Sequence, residues 1–147
     1  MCGIAGLIHR GKSGEIGREL TAMLQSLKHR GPDSAGFALY GEPHGDELVM
    51  RFNVAEQAEM SRGFDIHHQV TARRRLVDDR LAELGARVLE QDAVTEYAFR
   101  YRINYGGDRR KLADYIEDVE GAEILSIGHS LELVKDLGDA AQVADQY

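Results

Sequence analysis

Cys2 is the residue best suited to chemistry in this sequence, which contains one cysteine. It directly follows Met1, so removal of the initiator methionine places a thiol and a free α-amine on the same residue. The α-amine of an N-terminal residue titrates near neutral pH, and its neutral fraction is a general base. Such a residue is a nucleophile that carries its own base. Position 2 therefore indicates attack of a thiolate on a carbonyl carbon.

Two short motifs belong to this chemistry. The first is Cys-Gly-Ile-Ala-Gly at residues 2–6, and the second is His-Arg-Gly-Pro-Asp-Ser-Ala-Gly at residues 29–36. Glycine at positions 3 and 6 allows the backbone to approach closely beside the nucleophile. Together the motifs resemble the class II glutamine amidotransferases, which are amidohydrolases with an N-terminal cysteine nucleophile. The resemblance covers about residues 1–64.

The resemblance implies an α+β fold, the αββα sandwich of N-terminal-nucleophile hydrolases. It also implies that Cys2 attacks the side-chain carboxamide of glutamine, that ammonia leaves, and that water releases glutamate from a γ-glutamyl thioester. Arg30 and Gly31 are expected beside Cys2, where they help to shape the substrate pocket. His29 and Asp33 are expected to be structural, not a catalytic base and acid. Neither a metal nor a cofactor is expected in this chain.

The sequence departs from the family's pattern after residue 64. The family builds its oxyanion hole with an Asn-Gly pair, but neither Asn53 nor Asn104 precedes a glycine. The family also holds the glutamine carboxylate with an arginine in a Gly-His-Thr-Arg-like strand. Residues 128–131 begin like this strand, with Gly-His, but have leucine where the arginine is expected. Loss of one oxyanion donor typically lowers kcat by about 10²–10³. This chain alone is therefore expected to build half of a site.

These departures predict a division of the chain. Residues 1–64 are expected to form the N-terminal part of the amidotransferase domain, and residues 65–147 an inserted small α/β module. The remainder of the sandwich is expected to follow Tyr147, because half a sandwich leaves sheet edges and an apolar face uncovered.

The inserted module resembles that of the small amidotransferase subunit of N-methylglutamate synthase and glutamate-synthase-like complexes. This resemblance implies a hetero-oligomer in which the ammonia passes to a separate flavin-containing synthase subunit. Two alternatives remain open. In the first, the chain is a non-catalytic subunit that resembles an amidotransferase and serves as a scaffold or a regulator. In the second, it is the amidotransferase domain of an asparagine or purine-biosynthetic enzyme. The inserted module argues against the second alternative.

The N-terminal region reads as a strand, a helix and two further strands. Residues 2–9 are apolar and predict a buried strand, and residues 15–28 place their apolar side chains at helical spacing. Residues 35–40 and 48–54 predict two strands joined as a hairpin. These elements would carry the two motifs to one place.

The remaining residues alternate between helices and strands. Residues 70–84 predict a charged amphipathic helix, and residues 97–105 alternate apolar and polar side chains as a half-buried strand does. Asp108 is expected to cap a helix that ends at Gly121. Further elements are a strand over 122–127, a helix over 131–137 and the start of another helix near 139. Strands connected through helices are expected to be parallel.

Composition limits the classes of function. The formal net charge of −7 argues against a general binder of nucleic acid or anionic membrane. A single cysteine forms no internal disulfide, and no run approaches the ~18 apolar residues of a membrane span. We therefore expect a soluble cytoplasmic protein. Residues 73–75 are all arginine but are expected to form a solvated, salt-bridged helix face, and His67 with His68 lacks the partners of a metal site.

Overall fold

The computed structural model describes residues 2–11, 14–31, 33–61 and 65–147. The chain divides into two compact units, one of residues 1–37 with 135–147 and one of residues 38–134. The division near residue 64 that the sequence suggested does not coincide with these bounds. The roles of the two regions, as catalytic part and insertion, stay a prediction.

The secondary structure contains both helices and antiparallel sheets, as expected for the α+β class. The helices are α1 (Ile16–Ser26), α2 (Gln57–Met60), α3 (Ile66–Glu83), α4 (Arg109–Glu117) and α5 (Ala140–Gln146), with a 3-10 turn at Lys28–Arg30. The strands are β1 (Ser34–Tyr40), β2 (Leu48–Asn53), β3 (Arg87–Ala93), β4 (Ala98–Asn104), β5 (Glu123–Gly128) and β6 (Leu131–Leu137).

The unit of residues 38–134 contains a four-stranded sheet in the order β3-β4-β2-β5. Each neighbouring pair is antiparallel. The chain runs β-α-β-β-α-β through this unit, which is the split β-α-β topology of ferredoxin-like domains. Strands joined through a helix run in the same direction, as expected, because β2 and β3 are both antiparallel to β4, and β4 and β5 are both antiparallel to β2. The two strands of each such pair are not neighbours, since another strand lies between them.

The core of this unit lies between the sheet and the two long helices. The alternation predicted for β4 is confirmed, since Phe99, Tyr101 and Ile103 are buried. The ring of Phe52 lies 5.5 Å from that of Phe99 and 4.9 Å from that of Tyr101, with the second pair edge to face. α3 and α4 contribute buried residues to the same core: Ile66, Val70, Val77, Leu81, Leu112 and Ile116.

Several sequence-based expectations about strands were wrong. β1 and β2 do not form a hairpin, because β1 pairs with β6 whereas β2 pairs with β4 and β5. Residues 131–137 form strand β6 and not a helix. β3 was missed, since this edge strand is largely exposed and carries charged residues. Edge strands commonly carry charges because charged side chains discourage pairing with another chain.

The unit of residues 1–37 with 135–147 has little buried surface. α1 forms as predicted, yet this helix, which the structure describes throughout, contains no buried residue. Residues 2–9 are neither a strand nor buried, and Ile4 and Ile8 are each 91% exposed. The expectation of a buried strand was wrong because no neighbouring strand in the described part of the chain pairs with this segment. The helix start near residue 139 is confirmed.

The helices were also compared with the requirements of a membrane-spanning segment. In the ranges that the structure describes, no helix has the length and apolar character that a membrane crossing requires.

Candidate active site

Cys2 is exposed and lines a cleft of about 320 Å³ in the unit of residues 1–37 with 135–147. Arg30 and Gly31, the two residues expected beside it, also line this cleft. The other lining residues are Gly3, Leu24, Leu27, Lys28, Asp33, Ser34, Ala35, Gly36, Asp139 and Ala140. The two sequence motifs therefore meet at one cavity, although a helix separates them in the chain.

The end of α1 sets the position of Arg30 and Gly31. The N–H of Leu27 bonds to the carbonyl of Leu24 at 2.9 Å, and the N–H of Arg30 bonds to the carbonyl of Leu27 at 2.9 Å. The N–H of Gly31 then bonds to the carbonyl of Lys28 at 3.3 Å. These bonds tighten the chain into a 3-10 turn, which is common where an α-helix ends. The turn directs the chain into the loop before β1.

Gly3 brings the Cys2 segment against this turn. A Cβ atom at Gly3 would lie 3.0 Å from Cβ of Leu27 and 3.7 Å from Cβ of Arg30. A side chain at this position would be in tighter contact with Leu27 than is usual for a Cβ atom, so glycine favours the close approach of the backbone to the end of α1. Gly6 differs, since no described atom lies within 4 Å of a Cβ built there. The predicted close approach is present at Gly3 and absent at Gly6.

The start of α5 also lines the cleft, through Asp139 and Ala140. The N–H of Gly138 bonds to the carbonyl of Asp33 at 3.1 Å. The carboxylate of Asp139 then accepts the N–H groups of Ala141 and Gln142, both at 3.1 Å, and so caps the helix. Asp33 therefore fixes the loop through its main-chain carbonyl. A structural role for its carboxylate stays a prediction.

Asp139 is a lining residue that sequence reasoning did not single out. The Nε2 of Gln25 donates to its carboxylate at 2.9 Å, and this bond, with the backbone bonds from Gln142 and Ala141, lowers the pKa of Asp139. The carboxylate is therefore ionised at neutral pH. The capping-box pattern, with Gln142 three residues after Asp139, was the available sequence signal.

The cleft contains charges of both signs. Lys28 and Arg30 come from the turn after α1, whereas Asp33 and Asp139 stand before β1 and α5. A small polar molecule with both an ammonium and a carboxylate group is compatible with such a lining. Cys2 is an exposed lining residue of the same cleft, so a thiol-bearing residue lies beside any molecule bound there.

The arginine run at residues 73–75 does not line this cleft. The expected salt bridging is present at Arg73, which lies 3.6 Å from the carboxylate of Glu59, but the expected solvation is not. Arg73 donates to the carbonyl of Val54 at 2.9 Å, and Arg74 donates to the hydroxyl of Tyr101 at 2.9 Å. Arg74 also lies 4.7 Å above the ring centre of Phe99. Two of the three arginines therefore pack against the core of their unit instead of forming a solvated face.

No candidate metal centre accompanies the cleft. Within the described ranges, no group of three or more histidine, cysteine, aspartate or glutamate residues is arranged to hold a metal ion. His67 lies 3.8 Å from Glu96, and both side chains are largely exposed.

The cleft defines a class of site, in which a cysteine near the N-terminus lines a pocket of mixed polar and apolar residues. No protein-family model matches the chain. The whole chain aligns at 30% identity, over 150 residues, with a protein of Methanothermobacter thermautotrophicus named "Putative glutamine amidotransferase". The chain spans 47% of that protein's length. This likeness supports a relationship to the glutamine amidotransferases.

Proposed function

We propose that the protein is a class II glutamine amidotransferase subunit whose nucleophile is Cys2 after removal of Met1. One observation carries the proposal: Cys2 shares its cleft with Arg30 and Gly31 of the loop at residues 29–36. The name of the relative supports the same class of reaction.

The proposed reaction proceeds in two balanced steps. The α-amine of Cys2 accepts the thiol proton, and the thiolate attacks Cδ of the glutamine side chain. The C–N bond breaks, the proton passes to the leaving nitrogen, and ammonia departs from a γ-glutamyl thioester. Water then adds to the thioester carbonyl, the C–S bond breaks, and glutamate leaves as the thiol is restored.

The residues around Cys2 have positioning roles in this proposal. Gly3 keeps the backbone close to Leu27 and would thereby hold Cys2 in the lining of the cleft. Arg30 and Gly31 form the neighbouring wall, which excludes water from one side of the bound carboxamide. Orientation of this kind is a major source of rate enhancement, because it replaces a bimolecular encounter with a fixed geometry.

The proposal extends to the fold and the domains. The unit of residues 1–37 with 135–147 would be the first part of an αββα sandwich, and the unit of residues 38–134 the insertion. The oxyanion donors and the ligands for the substrate's amino and carboxylate groups would come from further strands of a longer protein. The length of the relative, about twice that of this chain, supports this part of the proposal.

The fate of the ammonia is proposed from the resemblance. The subunit would pass ammonia to a flavin-containing synthase subunit of a hetero-oligomer, as in N-methylglutamate synthase and glutamate-synthase-like complexes. A cytoplasmic location would fit this metabolic role.

The decisive variants are Cys2→Ala and Cys2→Ser in the native complex. We expect both to abolish glutamine-dependent activity while activity with added ammonium is retained, because ammonium bypasses the thioester. Leu76→Ala is the control, since that side chain is 50% exposed and lies in the other unit. Unchanged glutamine-dependent activity in Cys2→Ala would reject the proposal and favour a non-catalytic scaffold subunit.

A further inference from the structure

Strand β6 is held to the sheet of the unit of residues 38–134 through the side chain of Glu132. Its carboxylate accepts the Nε–H of Arg51 at 2.7 Å and two N–H groups of Arg100 at 2.9 and 3.0 Å. Arg51 and Arg100 lie directly opposite each other on β2 and β4. Two like charges in such a pair repel each other, so the shared carboxylate is the group that makes their proximity favourable.

Neighbouring residues fix the same end of β6. The N–H of Leu133 donates to the hydroxyl of Ser126 on β5 at 3.0 Å. The N–H of Gly41 donates to the carbonyl of Ser130 at 2.8 Å. Glu132 therefore lies within an anchored segment. Its side chain supplies the ionic part of the attachment, which is the part that a single substitution removes.

The other end of β6 leads to the cleft that Cys2 lines. The boundary between the two units falls within β6, after Val134. Beyond it, the carboxylate of Asp136 accepts the hydroxyl of Tyr147 at 3.0 Å. Asp139, which caps α5 and lines the cleft, follows shortly after the strand. Six residues separate it from Glu132.

An extended strand transmits a displacement along its axis. Its backbone is already near full length, at about 3.3 Å per residue, so the strand does not lengthen to absorb a shift at one end. β6 is also paired with β1, which opposes bending, and residues 34–36 at the start of β1 line the cleft themselves. A shift at Glu132 is therefore expected to reach residues that line the cleft.

We propose that Glu132 is a positioning residue for the cleft, and that it acts through β6 on Asp139 and Ala140. While the carboxylate binds both arginines, β6 keeps the start of α5 in place. Without the carboxylate, that part of the cleft lining loosens, and a small molecule bound there is held less tightly. The coupling of Glu132 to α5 is independent of the reaction proposed for Cys2, whereas its effect on substrate binding rests on that reaction.

The first test is hydrogen exchange at the start of α5 in the native protein. Glu132→Gln keeps the size of the side chain and removes its charge. We expect the amides of Ala141 and Gln142 to exchange about fivefold faster or more, as for local opening of a helix start. No acceleration in this variant would overturn the proposal.

Tyr101→Phe is the matched control for general loss of stability. Tyr101 lies on the same sheet, but its hydroxyl faces the helices, where it donates to Asp78 at 2.9 Å and accepts from Arg74. The control is expected to leave the amides at the start of α5 unchanged. Equal acceleration in Tyr101→Phe and Glu132→Gln would attribute the effect to the whole unit and would also overturn the proposal.

The second test measures binding in the cleft with a chloroketone analogue of glutamine. In Glu132→Gln, we expect the concentration that gives half-maximal labelling of Cys2 to rise about threefold to tenfold, because the bound molecule is less well oriented. The labelling rate at saturation, and the rate with iodoacetamide, should stay unchanged. An equal affinity for the analogue in the variant would contradict the effect on binding. Absence of any Cys2 adduct in the unmodified protein would refute the proposed reaction, and the exchange result would still decide the coupling.

A second variant covers the case in which Glu132→Gln does not fold. Arg100→Lys keeps the charge but replaces a two-bond contact with a point charge, so we expect a smaller change in the same direction. Where both variants fold, the double variant should match Glu132→Gln alone, because the two substitutions act on one contact. Additive changes in exchange would show that Arg100 acts by another route and would overturn the proposal.

Discussion

The side-chain amide of Gln25 links the end of α1 to the start of α5 through Asp139. Its Nε2 donates to the Asp139 carboxylate at 2.9 Å, while its Oε1 accepts the N–H of Ala141 at 3.2 Å. The first N–H groups of a helix have no partners within the helix, so an acceptor from another element stabilises its start. This contact therefore holds the part of the cleft lining that Asp139 and Ala140 provide.

Replacement of Gln25 by leucine should loosen that part of the lining. Both hydrogen bonds are lost, and we expect a loss of about 1 kcal/mol in stability. The amides of Ala141 and Gln142 should exchange faster, as measured by nuclear magnetic resonance. Ser26→Ala is the control, because its hydroxyl bonds within α1 to the carbonyl of Met23. Unaltered exchange at the start of α5 in Gln25→Leu would show that the link is not required there.

Two glycines near the nucleophile provide a matched pair of variants. Gly3→Ala places a methyl group 3.0 Å from Cβ of Leu27, whereas no described atom lies within 4 Å of the same group at Gly6. Gly3→Ala should therefore displace the Cys2 segment and cost about 1 kcal/mol, and Gly6→Ala should be nearly neutral. Thermal unfolding and the rate of thiol alkylation measure both effects. Equal responses of the two variants would contradict the packing described for Gly3.

Glu132 should make the unit of residues 38–134 sensitive to acid. Its carboxylate accepts from Arg51 at 2.7 Å and from Arg100 at 2.9 and 3.0 Å. Burial opposes ionisation, but the hydrogen bonds from Arg100 and Arg51 outweigh it and lower the pKa of Glu132. A carboxylate with a lowered folded-state pKa stabilises the fold above its unfolded pKa, near ~4.3, and this stability is lost as pH falls through the folded pKa.

Glu132→Gln is the variant that tests this pH dependence. We expect it to lower stability at pH 7 by about 2 kcal/mol, less than the ~3–5 kcal/mol of a fully buried pair because the site is partly exposed. The difference from the unmodified protein should shrink as pH falls below ~4. Denaturant unfolding at a series of pH values gives both quantities. A difference that is constant with pH would exclude the ionised carboxylate as its cause.

Tyr101 should resist ionisation in the folded protein. Burial, reinforced by the Asp78 carboxylate, raises the pKa of Tyr101 to about 12 even though Arg74 opposes the shift. Its neutral form is thus favoured in the fold, and the associated stability is lost as pH rises from ~10 towards the folded value. Tyr101→Phe should cost about 1–3 kcal/mol at pH 7, because Asp78 and Arg74 lose a partner.

Tyr115 provides the comparison for that variant. Its hydroxyl donates to the carboxylate of Glu83 at 2.5 Å at an exposed position. Water can replace the hydroxyl there, so Tyr115→Phe should leave stability nearly unchanged. Ultraviolet titration of tyrosinate, followed by unfolding measurements, tests both residues. A larger loss in Tyr115→Phe than in Tyr101→Phe would contradict the assigned burial of the two hydroxyl groups.

The sequence predicted those elements whose pattern is local. α1 and β4 show clear periodicity, and the Asp108 carboxylate caps α4 as expected, accepting the N–H of Arg110 at 2.9 Å. The meeting of Cys2 with Arg30 and Gly31 was also expected, but from the resemblance and not from spacing. A turn after α1 is readable in the sequence, whereas the packing of Gly3 against Leu27 depends on tertiary contacts.

The sequence-based predictions were wrong where strands or side chains that are far apart in the chain contact each other. β6 has leucines at residues 131, 133 and 137, and its apolar positions are compatible with either a short helix or a strand. Its partner β1 lies almost a hundred residues earlier, so nothing local indicates the pair. The sequence did not indicate β3 because this strand has no regular apolar face and is held in the sheet by its hydrogen bonds to β4. Asp139 was overlooked because its role depends on Gln25, which is distant in sequence.

The most direct measurement of the central claim is a mass map of the native protein after treatment with a chloroketone analogue of glutamine. We predict that Met1 is absent, that one adduct forms on Cys2, and that free glutamine slows its formation. Iodoacetamide, which lacks the amino-acid head, should modify Cys2 without competition by glutamine. A native protein that retains Met1, or that supports glutamine-dependent activity without any adduct on Cys2, would contradict the account.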